Sequence, residues 1–288
     1  MHALSDFPFN HIVIVGLGLV GGSIAKSIKK LTSDVKIVAV DTSSDVIHMA
    51  KKEKVIDIGY TNLPDPLADE GIVVICTMPD TTLDILRRVE GLVGKNVVVT
   101  ETAGIKHEIA SLMEASKSKL TYNYVGSHPM TGKEVQGYTS SSDGIFKSYP
   151  VFIIKSKFTA PSAVGLVSNF WEFMGAKVFY MDSSTHDKLI ALISHLPHVI
   201  SYTLAKTILD CWPEESGIPY IEGSGLKDMV RIAKSDVDLW SKLIIANSEN
   251  MTKFIDAYMQ VLYACKELIN RGDVEELKGI LRPNRIKK

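Results

Sequence analysis

Ile12-Val13-Ile14-Val15-Gly16-Leu17-Gly18-Leu19-Val20-Gly21-Gly22-Ser23 decides the fold. A β-branched apolar run enters a glycine turn, and Ile24, Ala25 and Ile28 then recur at helical spacing, so the stretch reads as strand, turn and helix. Each glycine has a task in a dinucleotide-binding turn. Gly16 permits the tight turn, Gly18 lets the backbone approach a pyrophosphate, and Gly21 lets helix and strand pack closely while the helix N-terminus faces the anion. Leu17, Leu19 and Val20 complete the loop as cofactor-side positions.

A second apolar strand, Val35 to Val40, ends at Asp41, where an acceptor for an adenosine ribose 2′-hydroxyl is expected. Asp41 would repel a 2′-phosphate, and Thr42, Ser43 and Ser44 supply no cation to receive one, so NAD is favoured over NADP. The competing reading makes Asp41 the cap of the helix that starts near Ser44.

Strand and helix patterns alternate outward from this point to about residue 182. Apolar strands at Ile72 to Thr77, Val97 to Thr100, Tyr122 to Gly126, Val151 to Ile154 and Ala176 to Met181 are separated by helical spacing at 44–54, 82–92, 105–115 and 160–173. This predicts an α/β domain with a Rossmann-type, mainly parallel, doubly wound sheet over residues 1–182. From Ser184 the apolar residues recur only at helical intervals, which predicts an all-helical domain over 183–288. Trp240, Tyr258, Met259 and Leu262 want cover there, from a homodimer partner through that domain or from the core of a self-contained bundle.

Open parallel sheets bind ligands at the carboxyl ends of their strands. Three such ends carry small or polar residues: Gly16 to Gly21, Thr77-Met78-Pro79-Asp80 and Thr100-Glu101-Thr102-Ala103-Gly104. Ser127-His128-Pro129-Met130-Thr131-Gly132-Lys133-Glu134 follows a fourth apolar stretch and should open on the same crevice as a polar turn. A neutral His128 there could accept a substrate proton near pH 7, or brace its loop. His195 and His198 are three apart, but no further ligand cluster lies close by, so no metal is expected. A substrate-facing histidine with a packed neighbour fits the pair better. Lys227, Arg231 and Lys234 fall on one side of a short helix after Gly223 and Gly225, a cationic face suited to carboxylates. Alternatively, Arg231 pairs with Asp228 on a solvated face.

Composition sets outer bounds. The 288 residues, 45% of them hydrophobic, suffice for two domain cores, and a net charge of −1 argues against a broad nucleic-acid surface. Three widely spaced cysteines, Cys76, Cys211 and Cys265, suit reduced thiols in a cytoplasmic enzyme. The first ten residues lack a signal-peptide pattern, and no long uncharged apolar run occurs, which argues against secretion and membrane spanning.

Four stretches together resemble the prephenate dehydrogenase family: Gly-Leu-Gly-Leu-Val-Gly-Gly-Ser at 16–23, Ser-His-Pro-Met-Thr-Gly at 127–132, Ser-His-Leu-Pro-His at 194–198, and Asp-Met-Val-Arg-Ile-Ala-Lys-Ser-Asp at 228–236 followed by Trp240. The resemblance runs in order over nearly the whole chain. It implies NAD-dependent oxidative decarboxylation of prephenate to 4-hydroxyphenylpyruvate, a step of tyrosine biosynthesis, with His128 taking the ring-hydroxyl proton. It further implies that Arg231 binds a substrate carboxylate, that His198 and Trp240 line the substrate site, and that Glu134 guards it. Gly104 departs from the family pattern, which places there a serine bonded to the catalytic histidine; Thr102, Ser127 or a water would have to replace it. The chain ends soon after its last helix, which leaves no room for a regulatory or mutase domain, so tyrosine feedback would act at the active site. Arogenate dehydrogenase and a catalytically silent NAD-binding regulator are the competing readings. A β-hydroxyacid dehydrogenase shares the layout but not the two histidine motifs.

Overall fold

The computed structural model describes residues 7–118, 120–131, 136–213 and 220–282. The chain divides into two compact units, Met1–Lys188 with Lys234–Leu243, and Leu189–Ala233 with Ile244–Lys288. By their packing, residues 183–188 and the segment Lys234–Leu243 are grouped with the first unit.

The first unit is built on one eight-stranded sheet. Its strands are β1 (His11–Val15), β2 (Lys36–Val40), β3 (Ile58–Tyr60), β4 (Ala68–Ile75), β5 (Val93–Glu101), β6 (Asn123–Pro129), β7 (Pro150–Ile154) and β8 (Lys177–Met181). Their order across the sheet is β3-β2-β1-β4-β5-β6-β7-β8. All neighbours are parallel except β6 and β7. Strand order reverses between β1 and β4, the switch point where a doubly wound sheet opens a crevice.

Both faces of the sheet are covered, which explains the unbroken apolar runs in sequence. Ile12 and Ile14 of β1 join Ile72 and Val74 of β4 in a core with Ile24 and Ile28 of α1 (Leu19–Leu31), Ile47 and Ala50 of α2 (Ser44–Lys52), and Phe170 and Trp171 of α5 (Pro161–Phe173). The alternate residues Val13, Val15, Val73 and Ile75 face α3 (Pro79–Val89) and α4 (His107–Ser116) through Leu83, Leu86, Ile109 and Met113. The strand β3 was not legible in the sequence: three half-exposed or exposed residues at the sheet edge carry no apolar run. Strand β4 begins four residues before Ile72, because Ala68 and Glu70 find partners on β5 in spite of their polar surroundings.

The second unit contains only helices among its described residues, with α7 (Leu196–Asp210), α8 (Ser224–Val230) and α10 (Ser248–Arg271) followed by α11 (Val274–Leu281); α6 (Ser183–Ile190) leads into it and α9 (Val237–Ala246) returns to it. A π-helical turn, Ala191–His195, precedes α7. Pro197 accounts for it, since a proline in the first turn of α7 has no N–H to continue the α ladder. Gly272 ends α10 in the left-handed region, φ 66°, where glycine carries no Cβ penalty. Met259, Val261, Leu262 and Tyr263 of α10 are exposed within the chain, while Tyr258 and Trp240 are half-buried.

Candidate active site

The glycine turn adopts the geometry its spacing demands. Gly16 has φ +95°, and a Cβ there would meet the Cys76 carbonyl oxygen at 2.6 Å and Thr77 at 3.1 Å, while one at Gly21 would run into the Gly16 carbonyl oxygen at 1.9 Å. At Gly18 a Cβ would touch nothing within 4 Å. Gly16 and Gly21 are therefore required by the fold, whereas Gly18 borders open space of the kind a pyrophosphate would fill. Gly18 is also the N-cap of α1, whose first turn has no side-chain cap and no acidic residue, so its N–H groups suit an anion. Leu17 is buried in the core, and Leu19 and Val20 are half-buried at the start of α1.

Asp41 bridges the turn and β2. Its Oδ2 accepts the Leu17 N–H at 2.7 Å and its Oδ1 accepts the Ser43 N–H at 2.9 Å. The cap of α2 is instead Ser43, whose hydroxyl oxygen accepts the Val46 N–H, so the helix-cap reading of Asp41 is corrected. Two of roughly four lone-pair sites on the carboxylate are thus used for shaping the loop, which leaves capacity for a ribose hydroxyl. Thr77, after β4 across the switch point, shares a 2.9 Å hydroxyl contact with Thr82 at the start of α3. These residues fit a dinucleotide. Burial pushes the neighbouring Cys76 thiol up to about 12, which leaves it a neutral packing group.

His128 lies in a strand, not in the polar turn expected: it occupies β6 and pairs with Phe152 of antiparallel β7. Gly126 and Pro129 gave the turn signal, but Pro129 stands at the strand's last position, where a missing N–H is tolerated. The preceding residue, Ser127, points to the other face, as strand alternation requires. Its hydroxyl is committed to Thr100 Oγ1 at 2.9 Å and to the Glu101 carbonyl at 3.0 Å. Thr102 donates weakly to the Ile75 carbonyl at 3.4 Å. Neither hydroxyl takes the place of the serine that Gly104 lacks. A Cβ on Gly104 would lie 3.8 Å from His128 Nε2.

The other nitrogen of His128 meets a partner that the sequence did not reveal. His128 Nδ1 is 2.9 Å from Nε2 of His186 on α6, and His186 Nδ1 is 2.7 Å from Asp187 Oδ1. Asp187 also accepts the Lys106 and His107 N–H groups at 2.9 and 2.8 Å, so it caps the N-terminus of α4 from a distant helix. Beneath them, the fully buried Lys106 ammonium donates to Glu101 Oε1 and to the Ser127 carbonyl, both at 2.6 Å. Glu101 further accepts from Tyr124 and from the Ala103 N–H. Burial draws Lys106 below its usual range, against the pull of Glu101 and Asp187. Nothing in local spacing marks these residues; His186 follows Ser183, Ser184 and Thr185 at a helix start and reads as surface.

The expected substrate-side residues are distributed as follows. His198 is half-buried on α7, with Nδ1 donating to the Ser194 carbonyl at 2.8 Å, and burial lowers its proton affinity. Its neighbour His195 is buried, with Nδ1 3.4 Å from Asn247 Nδ2. Arg231 is exposed and begins a 3₁₀ turn, Arg231–Lys234, at the end of α8. The cationic residues Lys227, Arg231 and Lys234 therefore do not share one regular helix face, because the α-helix stops at Val230. Trp240 lies on α9, in the part that belongs to the sheet unit; there Lys242 pairs with Asp80 at 2.7 Å and Leu243 packs near Gly104. Glu134 lies outside the described residues. No group of three or more metal-ligating side chains occurs among the described residues.

A doubly wound nucleotide-binding sheet with an ionisable cluster at its carboxyl edge, followed by a helical domain, defines a dinucleotide-dependent dehydrogenase. Residues 24–180 match the prephenate dehydrogenase nucleotide-binding domain and residues 182–283 the prephenate dehydrogenase dimerization domain. The chain belongs to the prephenate dehydrogenase family. It is 26% identical to a cyclohexadienyl dehydrogenase of Zymomonas mobilis over 93% of this chain and 92% of that one, and 26% identical to a prephenate dehydrogenase of Lactococcus lactis over 93% and 73%. Among solved structures, the prephenate dehydrogenase of Aquifex aeolicus in complex with hydroxyphenyl propionate and NAD+ superposes with a TM-score of 0.84 at 30% identity, with 96% of each chain covered.

Proposed function

We propose that the chain oxidatively decarboxylates prephenate to 4-hydroxyphenylpyruvate with NAD, His128 acting as the proton acceptor. The observation that carries this reading is the position of His128: its Nδ1 edge is engaged by His186, and its Nε2 edge faces the end of β5 at Gly104. The solved relative with NAD+ and a hydroxyphenyl ligand supports the choice of cofactor and ring, and Asp41 supports NAD over NADP.

The bound nicotinamide supplies a hydride acceptor. His128 Nε2 accepts the proton of the ring hydroxyl while the hydrogen on the same carbon leaves with its electron pair. The electron pair of the bond to the ring carboxylate then enters the ring as carbon dioxide departs. The ring becomes aromatic, and the imidazolium returns its proton to the phenolate oxygen. Aromatisation drives the sequence, so the protein chiefly orients the substrate, moves one proton and balances charge. On the family resemblance, Arg231 binds a substrate carboxylate, His198 and Trp240 contact the substrate, Glu134 guards its entrance, and the helical domain joins two copies in a homodimer. A cytoplasmic enzyme fits this chemistry; no helix among the described residues is long and apolar enough to cross a membrane.

Arogenate is the second reading, favoured by similarity to an enzyme named only for the cyclohexadienyl ring that both substrates contain. Turnover of the purified chain on prephenate and arogenate, each with NAD and NADP, decides between them. The expected result is preference for prephenate and NAD. A tenfold or greater preference for arogenate would replace the substrate, and NAD binding without turnover of either would leave a silent regulator.

A further inference from the structure

An imidazole acts as a base only through the nitrogen that lacks a proton, and its neighbours decide which one that is. Behind His128 the neighbours form a chain with a defined direction. Asp187 receives two backbone N–H groups at the start of α4, so both of its oxygens act as acceptors. Its Oδ1 lies 2.7 Å from His186 Nδ1, so that nitrogen donates. A neutral imidazole protonated at Nδ1 offers its lone pair at Nε2. His186 Nε2 is 2.9 Å from His128 Nδ1, which must therefore be the donor. The lone pair of His128 is left on Nε2, beside Gly104.

We propose that His186 and Asp187 are positioning residues for the base: they fix the Nδ1–H tautomer of His128, which places its lone pair on Nε2, and stabilise the imidazolium formed when the substrate hydroxyl gives up its proton. This rests on the reading of His128 as the proton acceptor. The relay protons stay on their nitrogens, and the Asp187 charge acts through one polarised ring. Groups facing His186 are Asp187 on its own helix, Lys106 at the start of α4, Glu101 at the end of β5, His128 on β6, and the Phe152 ring on β7, 5.8 Å away between centroids. Burial keeps the His186 ring below the usual histidine range, although its bond to Asp187 opposes this, so the ring is neutral at pH 7. The same logic of a buried carboxylate, an oriented imidazole and a selected tautomer governs catalytic triads, with a second histidine inserted here.

The test compares His186→Phe, which removes both polar contacts, with His186→Gln, whose amide can accept from His128 Nδ1 and donate to Asp187. Multiple-bond proton–nitrogen spectra of the full chain with ¹⁵N-labelled histidine read the tautomer directly. Kinetics with prephenate and NAD read its consequence, with His128→Asn as the control. Expected are an Nδ1–H, Nε2-bare His128 in the wild type and in His186→Gln, and a mixed tautomer in His186→Phe. In His186→Phe, kcat should fall on the order of 10²-fold, with NAD affinity and KM within twofold of wild type and substantial recovery in His186→Gln. A wild-type His128 protonated at Nε2 overturns the relay. So does His186→Phe with kcat within twofold of wild type while His128→Asn is inactive; that result leaves His128 as the base. Equal losses of kcat and NAD affinity in both His186 variants reduce the residue to packing and also overturn the relay. Normal turnover by His128→Asn overturns the base and the relay together.

Discussion

Gly104 lies against the Nε2 edge of His128, with the position of a Cβ 3.8 Å from that nitrogen. A serine hydroxyl, one bond further out, would come within hydrogen-bond reach. The glycine does not occupy the left-handed region, and Leu243 Cδ2, at 3.3 Å, is the end of a flexible side chain that can give by a few tenths of an ångström. Gly104→Ser should therefore raise kcat for prephenate by about fivefold, the equivalent of one hydrogen bond of about 1 kcal/mol in the transition state. NAD affinity should not change. A kcat at or below wild type in steady-state assays would show that the hydroxyl does not engage His128.

Asp41 shapes the cofactor loop through Leu17 and Ser43 as well as offering oxygens to a ribose. Asp41→Ala should weaken NAD binding by about 10- to 100-fold, the range of a charge-assisted hydrogen bond, and should narrow the preference over NADP. The kcat at saturating NAD should stay close to wild type. Fluorescence titration with both nucleotides checks this; unchanged affinities would remove Asp41 from the site.

Lys106 and Glu101 form a buried ion pair at 2.6 Å, each almost without solvent contact. Lys106→Met would strand the Glu101 carboxylate and release the Ser127 carbonyl, at a cost of about 3–5 kcal/mol. That corresponds to a melting temperature lower by roughly 10 °C for a unit of this size. Adding Glu101→Gln should recover much of the loss, because the stranded charge disappears. Thermal unfolding of the two variants makes the comparison, and equal melting temperatures would contradict it.

Arg231 is exposed at the end of α8, which suits a carboxylate-binding group and a surface cation alike. Arg231→Gln should raise KM for prephenate about tenfold or more, with a smaller change in kcat, since a charged contact to the substrate is made in both ground and transition states. An unchanged KM would return Arg231 to the surface reading.

What could be read in the sequence follows from what is local. Val13 and Ile14 face opposite layers, yet both are apolar because both layers are covered, so β1 and the glycine turn were legible without the structure. Strand β3 was not, since edge residues such as Tyr60 need no apolar run. The sequence shows β6 only as far as Gly126, because Gly126 and Pro129 suggest a turn around His128 although the strand continues to Pro129. The relay was invisible for a stronger reason: His128 and His186 are 58 residues apart, and Asp187 and Lys106 are 81 apart. A histidine beside an aspartate at a helix start looks solvated until the sheet places it beneath another strand. Lys106 likewise reads as a surface charge at the start of a helix, and only the Glu101 side chain explains its burial.

Burial of His186 also fixes the sign of a pH effect. Its proton affinity in the folded chain is below the ordinary value of 6.5, chiefly because burial disfavours the charged ring. Above that value the ring is neutral both folded and unfolded, and this group contributes no pH dependence. As pH falls below it, the unfolded chain takes up a proton that the folded chain resists, so stability declines on acidification. The decline is at most about 1.4 kcal/mol per pH unit for one histidine, and His198, lowered by burial in the same way, adds to it. Urea unfolding of the wild type at pH 7.5, 6.5 and 5.5 should show falling stability, while His186→Gln, whatever its stability at pH 7.5, should show a shallower fall. Parallel slopes would mean that His186 takes up its proton equally well in both states, and the neutral ring required between Asp187 and His128 would lose its support.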